Sequence, residues 1–376
     1  MRLPVIIMLV VIAVNCFVDG YIWRRITEAC RRRWPGVAYA WSSLLLFIYI
    51  IVVICLPRRS GDDSMLVAIM WMVYGYFSIY IPKYIYVIFS VLDYVPRLWR
   101  KSRCGAGSWI GAILGVAAFV ILWWSALVNR ESYQIREVEL TFDNLPEQFD
   151  GYSMVQFSDA HVGTYGNDTT FISEVVDVIN GQGADVIFFT GDIVNRRTAE
   201  LTPFRKTLSR LSAPDGVYSI LGNHDYGDYI SWPDDASKAA NMKLMRDYQR
   251  DMGWTMLNND SRYIYRYGDS IALVGVENVG DPPFTVYGDL AKAYPQLSDS
   301  VFKVLLTHNP AHWTSEIADK DSINVDLSLS GHTHAMQCQV GNWSPAQWRY
   351  QTWGGLYEDK SCLLYTSDAA DDTPCV

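Results

Sequence analysis

"LSLSGHTHAMQ", residues 327–337, sets two histidines one residue apart at the end of an alternating apolar run. Only six histidines occur in the 376-residue chain, and five stand at or just past the end of such a run: His161 in "SDAH", His224 in "GNHD", His308 in "LLTHNP", and His332 with His334 in "GHTH". Asp159, Asp192 and Asp225 share those ends. Imidazoles and carboxylates gathered among glycines that let the backbone turn tightly are the donor set of a site for borderline transition metals. In extended backbone, residues two apart point the same way, so Asp159 and His161 converge on one ion, while His332 and His334 face two adjacent ones. The sixth histidine, His312 in "NPAHW", is assigned no ligand role, because a lone histidine beside a strand is more often structural.

Outward from these ends, short apolar runs recur at "YSMVQFSD", "DVIFFTGD", "VYSILGNHD", "SIALVGVEN", "KVLLTHNP" and "VDLSLSGHTH". Between several of them lie helical patterns, "FISEVVDVING" and "ASKAANMKLMRDYQRDMG", each stopping near glycine. Strand followed by helix predicts an α/β unit whose sheets are covered by helices, with the site at the strand ends.

Charge divides the chain into two objects. Before Glu137 there are 15 Lys and Arg against 6 Asp and Glu, and from Glu137 onward 16 against 34, so the net −9 splits into +9 and −18. The basic half holds four apolar segments, roughly residues 3–17, 38–56, 65–84 and 109–128, and a span needs about 20 residues, which predicts four transmembrane helices. The first segment also fits a signal peptide. The stretch after it lacks a small-residue cleavage site and instead carries aromatic and basic anchors.

Arginines cluster in the loops after the first and third segments (Arg24, Arg25, Arg31–Arg33; Arg97, Arg100, Lys101, Arg103), which the positive-inside rule places in the cytoplasm. Lys83 then falls at the cytoplasmic end of the third helix, snorkelling to the interface. Four spans predict that the acidic second half lies on the outer face of the cytoplasmic (inner) membrane.

In their order and spacing, "SDAH", "TGDIVN", "GNHD", "LLTH" and "SGHTH" resemble the motif series of the calcineurin-like metallophosphoesterase superfamily, in its bacterial membrane-anchored branch. The resemblance covers about residues 152–340 and implies a metallophosphoesterase β-sandwich flanked by α-helices over 131–361, after a transmembrane region over 1–130. It implies one ion on Asp159, His161, Asp192 and His334, and another on Asp192, Asn223, His308 and His332, with Asp192 bridging. It leaves His224 as a non-ligand beside the phosphate, with Asp225 positioned to orient it. In some relatives two glycines follow the last motif; Ala335 and Met336 stand there in this chain.

The expected cofactors are two divalent transition-metal ions, Mn, Fe, Zn or Co. Such a pair lowers the pKa of a shared water and stabilises an in-line displacement, so the expected reaction is hydrolysis of a phosphate mono- or diester by hydroxide, with His224 stabilising the phosphorane-like charge or protonating the leaving group. The expected partners are the lipid bilayer and a phosphate-ester substrate on a lipid or envelope precursor. A UDP-diacylglucosamine-type pyrophosphate on the cytoplasmic face and an inactive sensor or binding module are the alternatives. Nucleic acid is excluded by the −18 balance, which offers no broad basic surface. No metal-type CxxC spacing occurs among the cysteines. The end of the chain, "CLLYTSDAADDTPCV" over 362–376, resembles translated adapter sequence and is expected to be a non-native or disordered tail, with the native chain stopping near Ser361.

Overall fold

Four long helices take up the N-terminal apolar segments: α1 (Arg2–Ala29), α2 (Trp34–Cys55), α3 (Asp63–Val91) and α4 (Ala106–Leu127). They belong to a computed structural model that describes residues 2–56, 63–99, 105–128, 131, 133–280, 285–318, 320–337, 339, 343–359 and 362–367. The chain forms two units, Met1–Asn129 and Arg130–Val376.

Four spans are expected over residues 1–130. Among the described residues three helices are long and apolar enough to cross a membrane: Trp34–Cys55, Met65–Pro96 and Ala106–Leu127. α1 carries the remaining apolar run, residues 3–18, followed by Asp19, Arg24 and Arg25 within the same helix. Lys83 does not snorkel as expected. Its ammonium lies 2.8 Å from Asp19 Oδ1, and Asp19 also accepts hydrogen bonds from Tyr39 and Tyr80, each at 2.7 Å. Against α3, α4 presents Gly107, Gly111 and Gly115 at four-residue spacing. A Cβ on Gly111 or Gly115 would sit 3.0 Å from the backbone of Tyr86 or Pro82, so small residues let the two helices approach closely.

In the second unit the apolar runs are continuous because both faces of their strands are covered. β1 (Met154–Phe157), β2 (Val186–Phe189), β3 (Val217–Ser219) and β4 (Thr255–Met256) make an all-parallel sheet in that order. The other sheet holds β5 (Asp260–Arg266), β6 (Asp269–Gly275), β7 (Lys303–Leu306), β8 (Leu327–Ser330), β9 (Gly355–Asp359) and β10 (Cys362–Thr366), in the order β5-β6-β7-β8-β10-β9. It is parallel in its centre and antiparallel at both edges.

Alternation decides which core each residue joins. Val186 and Phe188 of β2 meet Ile271, Leu273, Val304 and Leu306 between the sheets. Ile187 and Phe189 face the other way, toward α5 (Thr170–Gly181), the short α6 (Arg205–Leu208) and α7 (Asp235–Asp251), whose contributions include Val175, Val176, Leu208 and Met245. Behind the second sheet, Ala272, Val274 and Leu305 pack on α8 (Leu290–Ala293) and Trp313. The fold is the expected β-sandwich flanked by helices.

Of the expectation that 362–376 is a non-native or disordered tail, the disorder is corrected for the residues described. Residues 362–366 are strand β10, hydrogen-bonded between β8 and β9, with Leu364 and Thr366 fully buried. The physical reason is the alternation of Cys362, Leu364 and Thr366, which turns one face of the strand inward. Residues 368–376 lie outside the described residues. Leu364→Ala is therefore expected to lower the stability of the full chain by about 2–5 kcal/mol, as core leucine truncations do, measured by denaturant titration in detergent.

Candidate metal centre

Five loops at the C-terminal ends of β1, β2, β3, β7 and β8 carry every sequence-predicted site residue. The backbone there is unusual. Asp159, His161, Asp192, His332 and His334 all have positive φ, from 38° to 77°. Such conformations cost about 1–3 kcal/mol each and persist where the surroundings over-determine them. Two glycines show how tightly the loops are drawn together: a Cβ on Gly222 would collide with the Asp192 carboxylate, and one on Gly331 with Ser158 and Asp159.

Within these loops the side chains form two adjoining groups. Asp159, His161 and His334 make one, with His334 Nε2 3.1 Å from Asp159 Oδ1 and 3.1 Å from His161 Nε2. Asp192, His308 and His332 make the other, with His308 Nε2 3.1 Å from Asp192 Oδ2, 3.2 Å from His332 Nδ1 and 3.0 Å from Asn223 Oδ1. The Asp192 carboxylate touches both, since Oδ2 is also 3.8 Å from His161 Nε2. His224, with His161 and Asp192, forms a third such group.

The electrostatics suit a cation. Asp159 and Asp192 are each only 1% exposed. Burial alone would raise both carboxyls, but His334 holds Asp159, and His308 holds Asp192, below the usual carboxylate range. His161 and His332 are pushed down to about 3, by burial first and by His224 and His308 respectively second, so both rings are neutral ligands at neutral pH. His308 goes the other way: burial opposes its charge, yet Asp192 outweighs burial and pushes it up to about 9. A buried carboxylate pair recruits a proton onto this ring when no cation is at hand. Converging imidazole nitrogens around two buried carboxylates thus fit divalent metal ions.

Groups behind the rings orient them. His308 Nδ1 donates to the Thr190 carbonyl at 2.8 Å, and His224 Nδ1 to the Asn195 carbonyl at 2.6 Å. The second contact corrects the role expected of Asp225. Its carboxylate does not orient His224; it is fully buried and accepts backbone N–H bonds from Asp192, Ile193 and Gly222 at 2.9 Å and from Val194 at 3.3 Å. Four such donors converge on Asp225 because the loops after β2 and β3 need a common anchor. His312 is a structural core histidine, bonded to Thr307 Oγ1 at 2.9 Å.

Sequence reasoning missed four groups: the Thr190 and Asn195 carbonyls, which carry no side-chain signal, and two tyrosines. Tyr229 accepts from Asn223 Nδ2 at 2.8 Å and stacks on His224 with ring centroids 4.3 Å apart. The Tyr350 hydroxyl lies 2.9 Å from His332 Nε2. Only the nearness of Tyr229 to "GNHD" could have been read in advance.

Residues 1–130 match the family described as "Probable Calcineurin-like phosphoesterase, transmembrane domain", and residues 152–336 match "Calcineurin-like phosphoesterase". An uncharacterized metallophosphoesterase of Bacillus subtilis, YkuE, is 31% identical over 57% of this chain and 70% of that protein. A transmembrane protein with metallophosphoesterase domain from Danio rerio is 26% identical over 66% of this chain; the chain spans 57% of its length. UDP-2,3-diacylglucosamine pyrophosphatase LpxG of Chlamydia trachomatis is 27% identical over 60% of this chain and 77% of that protein.

After the last motif, Ala335 and Met336 adopt φ of 46° and 47°, the left-handed region that glycine enters freely. Met336 is 45% exposed, so its side chain contributes little by burial. Met336→Gly is expected to raise stability by about 0.5–1 kcal/mol, the left-handed penalty being partly offset by glycine's unfolded-state entropy. An upward shift of the thermal midpoint of the detergent-solubilised chain checks this.

Proposed function

Since the chain belongs to the calcineurin-like metallophosphoesterase family, and with it to the hydrolases of phosphoric esters, we propose that it is a membrane-anchored dinuclear phosphohydrolase acting on a lipid- or envelope-linked phosphate ester or pyrophosphate. The observation that carries the dinuclear reading is the Asp192 carboxylate, which lies 3.1 Å from His308 on one side and 3.8 Å from His161 on the other. Asp159, His161, Asp192 and His334 would hold one ion, and Asp192, Asn223, His308 and His332 the other. When bound, two such ions supply a nucleophile from water near neutral pH and offset charge on the attacking and leaving oxygens.

His224 stands outside both ligand sets. With Nδ1–H committed to the Asn195 carbonyl, Nε2 remains to carry a proton to the departing oxygen, which an alcohol leaving group requires. Asp225 holds the loops that present Asp192 and Asn223, and touches no reacting atom.

Three apolar helices support a substrate held at a bilayer. Orientation follows from the arginine-rich stretches before α2 and after α3. A chain leaving the first of these crosses at α2, α3 and α4 and emerges outside, whether or not α1 spans. A second reading is favoured by the LpxG relatives: a diacylated UDP pyrophosphate, which would require the catalytic unit on the cytoplasmic face.

Asp192→Ala is expected to lose bound metal and hydrolysis together. His224→Ala is expected to keep its metal and lose turnover by about 10²–10⁴-fold. Metal analysis beside turnover separates the two, and a His224→Ala protein without metal would overturn the role given to His224.

Topology has its own test. A reporter active only outside the cytoplasm, fused after Val376, is expected to be active. A dark fusion, with a cytoplasmic reporter working in its place, would move the UDP-linked substrate ahead.

A further inference from the structure

We infer that Tyr350 is a positioning residue of the metal centre: its hydroxyl accepts a hydrogen bond from His332 Nε2–H and so fixes the tautomer that presents Nδ1 as a ligand. This rests on the dinuclear reading above and deepens it. Tyr350 lies beyond residue 336, where the match to the phosphoesterase family ends.

His332 has two nitrogens with different surroundings. Nδ1 faces inward, 3.2 Å from His308 Nε2 in the group that includes Asp192. Nε2 faces outward, 2.9 Å from the Tyr350 oxygen, with the two rings at 85° to each other. A neutral imidazole carries one proton. If it sits on Nε2, Tyr350 accepts it and the Nδ1 lone pair points at the site. If it sits on Nδ1, Tyr350 donates instead, and His332 aims an N–H where an ion must go. Only the first arrangement ligates, and the partner on the far nitrogen decides between them.

The comparison within the site is direct. The Thr190 carbonyl accepts from His308 Nδ1 and leaves Nε2 facing Asp192; the same job at His332 falls to a side chain.

The segment that brings Tyr350 there is built to hold it. A single turn over Pro345–Trp348 is capped by Ser344, whose hydroxyl also donates to the Ala335 carbonyl, one residue past His334. Ala335, Ala346 and Trp353 form a small buried cluster with Tyr350 packed against it. The loop that carries two ligands is thereby joined to the residue that orients one of them.

Tyr350→Phe removes the hydroxyl and keeps the ring. Graded chelator dialysis of the metal-loaded full chain is expected to show one of its two ions held about 10–100-fold more weakly, and the other unchanged. Trp348→Ala, an exposed change on the same turn, is expected to leave both unchanged. In the Zn²⁺-loaded parent, ¹⁵N-histidine spectra are expected to show His332 protonated at Nε2, the signal being assigned by its loss in His332→Asn. Equal ion affinities in the parent and Tyr350→Phe, or a His332 protonated at Nδ1, would overturn the role of Tyr350 alone. A parent that binds no divalent ion would overturn the dinuclear reading as well. The spectrum of the parent decides the matter should Tyr350→Phe fail to fold.

Discussion

A buried carboxylate with imidazoles on two sides is the constraint on which the catalytic unit depends. Asp192 is held in a left-handed backbone at φ 60°, a conformation an aspartate keeps only when its neighbours enforce it. They do so from both adjoining strands: on the β1 side the His161 N–H donates to the Asp192 carbonyl at 3.1 Å, and the rest comes from the β3 side. Asp225, in the loop after β3, takes the N–H groups of Asp192, Ile193 and Val194, while the His224 N–H donates to Asp192 Oδ1 at 2.8 Å. Gly222 lets the two loops close to a distance at which any side chain would strike the carboxylate. The sheet fixes the loops, and the loops fix the charge.

That dependence explains what the sequence makes legible. Strands buried on both faces must be apolar throughout, and a metal site needs histidine and aspartate at their ends, so β1, β2, β3, β7 and β8 announce themselves together with their ligands, and β6 by its apolar run alone. Strands without either signal stay hidden. β5 reads "DSRYIYR", polar because it is an edge strand with Tyr263 and Tyr265 turned outward, and its turn into β6 relies on Tyr267 and Gly268 at positive φ. β10 was obscured by the unusual composition around it, although Cys362, Leu364 and Thr366 alternate as a half-buried strand should.

Roles that depend on direction rather than residue type were the least legible. "HD" in "GNHD" suggests a histidine oriented by its neighbour, yet successive residues in a turn point apart, and Asp225 faces the loop backbone while His224 takes a carbonyl from the loop after β2. Tyr350 and His332 are 18 residues apart, in a stretch with no periodic pattern to bring them together. The Gly107, Gly111 and Gly115 repeat also went unread, although its four-residue spacing is that of a close helix contact.

The two units treat buried charge in opposite ways, and this separates structure from chemistry. In the N-terminal unit the Asp19 carboxylate meets the Lys83 ammonium and two tyrosine hydroxyls; the charges cancel and the acceptor oxygens are bonded, so the cluster joins α1, α2 and α3 and asks for nothing more. In the catalytic unit Asp159 and Asp192 face imidazoles of which His161 and His332 are held neutral, while His334 and His308, each 3.1 Å from one carboxylate, hold those two acids ionised. Neutral nitrogen lone pairs converge there beside buried carboxylate oxygens, and a divalent cation would supply an acceptor for those lone pairs and a partner for those charges. A network closed within itself holds helices together; a network whose lone pairs converge on one point is a binding site.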